Sequence, residues 1–256
     1  ALVVVGVAVF APQIAPYDPL DAVMLESLQA PSSAHPFGTD KLGRDLLSRV
    51  IFGTRTSLIM TLCLVAVIFV IGTFLGVIAG YFGGIVDGVI MRIADMMISF
   101  PGLVLAIAIA GMLGPNLVNA VISIAAVSWT KYARLARSMV LKVKKSLYIE
   151  AAIVNGTKTW KILLVHVLPN MVTQMVVTAA ADIGTMMLEL ASLSFLGFGA
   201  TAPTPEWGLM LNEGRTYMAK APWLMIYPGI AIVICVVVFN MLGDSIRDVL
   251  DPRQDQ

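Results

Sequence analysis

Ser57-Leu-Ile-Met-Thr61-Leu-Cys-Leu-Val-Ala66-Val-Ile-Phe-Val-Ile71-Gly-Thr-Phe-Leu-Gly76-Val-Ile-Ala-Gly80 carries no charged side chain, and none occurs anywhere between Thr56 and Val86. A helix rising 1.5 Å per residue makes this run about 36 Å long, enough for the ~30 Å hydrocarbon core of a bilayer. The pattern repeats along the chain. Met96 to Thr130 is also uncharged, and Gly114-Pro115-Asn116 interrupts it as a turn, so it divides into spans over about 91–113 and 116–134. A fifth span covers about 171–197, and the uncharged run from Ala221 to Gly243 is a sixth. Leu2 to Phe10 is too short to cross a bilayer and reads as the outer half of a first transmembrane helix whose beginning precedes Ala1. The expected architecture is an all-α membrane protein of about six spans, with residues 1–256 forming one membrane domain.

Composition agrees. Hydrophobic residues make up 58% of the chain and charged residues only 13%, where soluble domains carry about 25%. Cys63 and Cys235 each lie inside an apolar run, which argues against a disulfide or a metal site. Loop charge sets the orientation. Lys131, Arg134, Arg137, Lys142, Lys144, Lys145, Lys158 and Lys161 crowd the stretch 129–166 against the single acid Glu150, so that loop is expected in the cytoplasm. Stretches 16–56 and 200–222 are balanced in charge and are expected outside. Six alternating spans demand the same sidedness. Gly72, Gly76 and Gly80 line one face of the second span, as a close helix–helix approach requires.

The expected cytoplasmic loop, about 135–170, carries the main functional motif. Tyr148-Ile-Glu150-Ala151-Ala152-Ile153-Val-Asn155-Gly156 reads as a short helix stopped by a left-handed cap, followed by a second helix that ends at Pro169. Ala151 and Ala152 give the first helix a small, smooth face. Tyr148 and Ile153 are its apolar anchors, and Glu150 is placed to pair with a basic group. Two readings stand side by side: a helix that presses into a partner's groove, and an interfacial helix lying on lipid headgroups.

Glu150-Ala151-Ala152, then Gly156, then Leu168-Pro169 resembles the EAA loop of ABC importer permeases, and the ending His166-Val-Leu-Pro169-Asn170 is similar to the peptide/nickel branch. The resemblance makes His166 part of a structural turn rather than a metal ligand. It implies a type I importer permease fold and a coupling helix docked on a cytoplasmic ATPase subunit. A second block, His35-Pro-Phe-Gly38-Thr39-Asp40, Gly43-Arg44-Asp45, Ser48-Arg49, Gly53 and Arg55-Thr-Ser57, resembles the external segment of that branch's second permease subunit. There Asp40 and Asp45 can cap or pair with Arg44 and Arg49. Leu193 to Gly199, Pro203 to Gly208, and Asn240 to Pro252 extend the match over nearly the whole chain.

Asp182 and Glu189 lie seven residues apart on one face of the fifth span, with Met186 and Met187 between them. An acid at mid-bilayer costs roughly 2.5–3.5 kcal/mol on insertion scales, so such groups face a cavity or a partner. Asp182, Met186 and Glu189 are therefore candidates for a translocation path. The alternative for Glu189 is a structural bond to a neighbouring permease, and Asp182 is expected near enough to the inner surface to stay hydrated. Asp182-Ile-Gly184-Thr-Met186-Met187 and Thr201 to Gly208 look more like nickel-importer permeases than dipeptide ones, so the expected cargo is nickel or a nickel chelate, with di- or oligopeptides the alternative.

The chain has no Gly-Lys-Ser/Thr phosphate loop and no Cys/His zinc spacing, and no catalytic constellation is expected. By resemblance, ATP and Mg belong to two cytoplasmic ATPase subunits. The other expected partners are a homologous permease, an extracytoplasmic substrate-binding protein and the lipids of the cell inner membrane. No metal, nucleic acid or bound cofactor is expected. An ion-coupled transporter would carry internal repeats, which are not evident, and a scaffold protein would not need the loop.

Overall fold

The structure is a computed structural model that describes residues 1–250; the expected motif end at Asp251-Pro252 lies outside the described residues. The elements in order are α1 (Leu2–Val9), α2 (Ala11–Ile14), α3 (Leu46–Phe82), α4 (Gly84–Ile98), α5 (Gly102–Leu113), α6 (Leu117–Lys144), α7 (Leu147–Val154), α8 (Thr159–Lys161), α9 (Leu168–Phe195), α10 (Trp207–Gly214) and α11 (Trp223–Leu250). Strands are absent among the described residues; a single isolated bridge joins Thr39 to Asp45. The stretch around α3, the stretch from α8 through α9, and α11 are each long and apolar enough to cross a membrane.

α3 and α6 run parallel and form the centre of the bundle. A Cβ on Gly72 would meet Tyr132, one on Gly76 would fall on the carbonyl of Ala133, and one on Gly80 would meet Val140. Both partners advance by about one turn each time, so the glycine face is a real contact and sets the separation of the two axes. Gly76→Val is expected to lower the detergent thermal stability of the protein by at least ~1–3 kcal/mol, because backbone and not a movable side chain stands in the way. Gly88→Val, where nothing lies within 4 Å, is the control and should leave the melting midpoint in place.

Three expectations are corrected. The span over 91–113 is not straight: α4 and α5 meet at a bend of 93°. Pro101 disfavours helical geometry at Phe100 and opens α5 as its N-cap, so the helix breaks at Ser99–Pro101. α4 then lies across the cationic end of α6, where Arg137 holds Asp87 through Nε and Nη2, both at 2.5 Å, and Arg134 holds Asp95 at 2.5 Å. The helix after the loop does not stop at Pro169 either. It continues from Thr159 to Phe195 through a wide π-helical stretch at Ile162–Val167, in which Leu168 N–H donates to the Leu163 carbonyl. The widened turn makes room for the proline ring, which has no N–H to give. Asn170 Nδ2 donates to the His166 carbonyl at 2.6 Å. α6 also runs ten residues beyond the expected end at 134.

Candidate functional site

α7 sits where the C-terminal ends of α3 and α6 meet; Lys144 Nζ donates to the Tyr81 carbonyl there at 2.6 Å. Ile149 is fully buried and pins α7 to the bundle, while Tyr148, Glu150, Ala151 and Ile153 are exposed and Ala152 is half-buried. The helix ends as its residues require. Gly156 adopts φ +70°, Gly156 N–H donates to the Ile153 carbonyl, and Thr157 N–H reaches back to the Ala152 carbonyl, each at 3.0 Å. This double bond is the Schellman cap, and its left-handed residue suits glycine. Tyr148 also lines a groove of about 500 Å³ with Met139, Lys142, Ser146, Asn170 and Gln174. Leu147 and Val154 add two further exposed apolar side chains to α7, so one buried anchor carries a short, apolar, unpartnered helix.

The opposite end of α3 carries a buried ionic cluster. Arg44 Nε donates to Asp40 Oδ2 at 2.6 Å, and Arg49 Nε lies 3.5 Å from the same oxygen. Both guanidiniums also reach Glu213 of α10, at 3.3 and 3.4 Å, and Lys41 meets Glu213 at 3.2 Å. Asp45 does not pair with an arginine. It caps α3 through Ser48 N–H at 2.7 Å and faces His35 Nδ1 at 2.9 Å. Glu213, on the far side of the sequence, is a member that local reading misses, since only the folding of α10 onto α3 brings it there.

Glu206 is a second residue that the sequence leaves unmarked. Almost fully buried, it caps α10 by accepting from Gly208 and Leu209 N–H at 2.9 and 2.8 Å. Trp207 Nε1 donates to the Val50 carbonyl at 3.0 Å and fastens the same turn to α3. Burial pushes the Glu206 carboxyl above the ordinary range, and its hydrogen-bond donors pull it only part of the way back. A raised folded-state value favours the neutral form. The stability this group contributes is full below its unfolded value near ~4.3 and fades as pH rises through the folded value. Wild-type protein should therefore lose melting temperature between about pH 5 and about pH 8 by more than Glu206→Gln does, as measured by thermal unfolding in detergent.

Asp182, Met186 and Glu189 line one cleft of about 360 Å³ between α3, the α4–α5 bend, α6 and α9. The expected hydration of Asp182 is corrected: it is 5% exposed, and its oxygens accept from Lys131 Nζ at 2.6 Å and Tyr132 Oη at 2.9 Å. Both partners stand at adjacent positions of α6. Glu189 shares the cleft and not the pairing.

A helix bundle with an exposed, capped helix at one end and a largely apolar cleft holding Lys131, Asp182 and Glu189 has counterparts of known type. The family described as binding-protein-dependent transport system inner membrane component matches residues 72–256. The chain belongs to this family. It is thus an inner-membrane permease of the ABC importer class, and ATP hydrolysis in such systems belongs to a separate subunit. This permease is 44% identical over 96% of its length to the dipeptide transport system permease protein DppC of Alkalihalophilus pseudofirmus, covering 81% of that protein. It is 45% identical over 98% of its length to the glutathione transport system permease protein GsiD of Pectobacterium atrosepticum, covering 84% of it. A probable D,D-dipeptide transport system permease protein, DdpC of Escherichia coli, is 44% identical over 96% of the chain and is covered to 82%. Among solved structures, the inward-facing MetNI methionine ABC transporter matches with a TM-score of 0.64 at 20% identity, over 80% of this chain and 98% of that one. That likeness establishes the type I permease fold.

Proposed function

We propose that this permease is one of the membrane subunits of an ATP-driven importer for dipeptides or other short peptides, and that α7 receives the force of the ATPase. The nickel expectation gives way to its alternative. The relatives above are named for dipeptides, D,D-dipeptides and glutathione, and the two segments read as nickel-like are too short to outweigh identity of 44–45% along the chain. The observation that carries the coupling half is α7 itself: Tyr148, Ile153, Leu147 and Val154 stand exposed on eight helical residues held by the one buried anchor Ile149. A groove on a partner covers such a surface. The cap at Gly156 makes the helix stiff enough to transmit a push, with Glu150 beside the anchors to pair with a basic group.

The complete assembly pairs this chain with a homologous permease, two ATPase subunits that hold ATP and Mg, and an extracytoplasmic binding protein. On this reading the cluster of Asp40, Arg44, Asp45 and Arg49 faces the binding protein's side of the membrane, and the chain itself holds no cofactor. The test is reconstitution of the whole importer in proteoliposomes with ATP inside. Radiolabelled dialanine should accumulate and radiolabelled nickel should not. Nickel uptake without dipeptide uptake would reverse the assignment, and uptake without ATP would end the coupling claim.

A further inference from the structure

Asp182 and Glu189 share a helix face and a cleft, yet they are not equivalent. Asp182 is committed, with both oxygens taken by Lys131 and Tyr132. Glu189 stands two turns further along the same wall, and among the described residues no hydrogen bond or ion pair reaches its carboxylate. A half-buried carboxylate without a partner is costly, so a cation brought to it is favoured.

The rest of the cleft indicates which kind. Phe100, Met97, Met186 and Ile68 make its walls apolar. Lys131 is 61% exposed and spends one of its three N–H donors on Asp182, which leaves two free to meet an anion. The Asp182 and Glu189 positions are about 10 Å apart along the helix axis, and an extended dipeptide measures about 7 Å. The two lengths are of the same order. A cation acceptor and an anion acceptor at the two ends of an apolar slot match a zwitterion. A divalent metal ion would want several oxygen or nitrogen ligands converging on one point, and this cleft offers one free carboxylate.

We propose that Glu189 recognises the α-ammonium group of a peptide in transit, with Lys131 meeting its carboxylate end. This assignment rests on the peptide reading above. The test uses the reconstituted importer with saturating binding protein and radiolabelled dialanine, together with co-purification of the neighbouring permease. Glu189→Gln should cut uptake by about tenfold or more while the complex stays assembled, and Glu189→Asp should recover a large part of it. Wild-type uptake in Glu189→Gln overturns the assignment and leaves the peptide reading intact. Equal loss in both variants overturns it too, since a negative charge on the shorter arm would then count for nothing, which recognition of an ammonium group does not allow. So does loss of the neighbouring permease from Glu189→Gln alone, which would make the carboxylate an assembly contact. A wild-type importer that moves no dipeptide sinks both claims together.

Discussion

Asp40→Ala is expected to destabilise the protein by about 3–5 kcal/mol, the range for removing one partner from a buried ionic pair. Asp40 accepts from Arg44 Nε and from the backbone N–H groups of Leu42 and Arg44, and it faces Arg49. Both arginine side chains are 1% exposed. Without Asp40, two guanidiniums and Lys41 are left to share Glu213, and two N–H groups lose their acceptor. Asp40→Asn keeps the oxygen that takes the backbone bonds and should cost distinctly less. Thermal unfolding of the purified importer in detergent separates the two. Equal and small losses in both variants would mean that water reaches the cluster and that it does not tie the segment before α3 to α10.

Ile153→Asp is expected to abolish ATP-coupled uptake, by more than tenfold, without unfolding the permease. Ile153 is 48% exposed and is not among the buried residues that hold α7, so its replacement puts a charge where a partner would sit. Gly156→Pro attacks the same function through the backbone: proline cannot take φ +70° and has no N–H for the Ile153 carbonyl. Glu150→Lys should weaken the same contact by reversing its charge. Substrate-stimulated ATP hydrolysis and co-purification of the ATPase are the readouts. Retained stimulation in Ile153→Asp would mean that α7 lies on lipid headgroups and not in a groove.

The α7 segment was legible from its residues because a short helix and its cap are local. Asn155-Gly156 specifies the left-handed stop whatever surrounds it, and the small faces of Ala151 and Ala152 follow from their place in the helix. The glycines at 72, 76 and 80 were legible for a similar reason, since a periodic face without Cβ atoms has one common use. Pro101 and Pro169 show the limit. Each removes an N–H, but one breaks the chain by 93° and the other is carried through by a π-helical stretch. What differs is the packing of the neighbouring helices, which no window around either proline contains.

Apolar run length and the placement of lysine and arginine pointed to the membrane class, to several spanning helices and to the exposed cap-bearing loop, because lipid admits few alternatives and charge counts need no partner. The pairings belong to the folded bundle. Glu213 joins Arg44 across 169 positions, and Asp182 meets Lys131 across 51. Which carboxylate is neutralised and which stands free is a matter of distances between helices, and side-chain spacing along one helix holds no information about its neighbour.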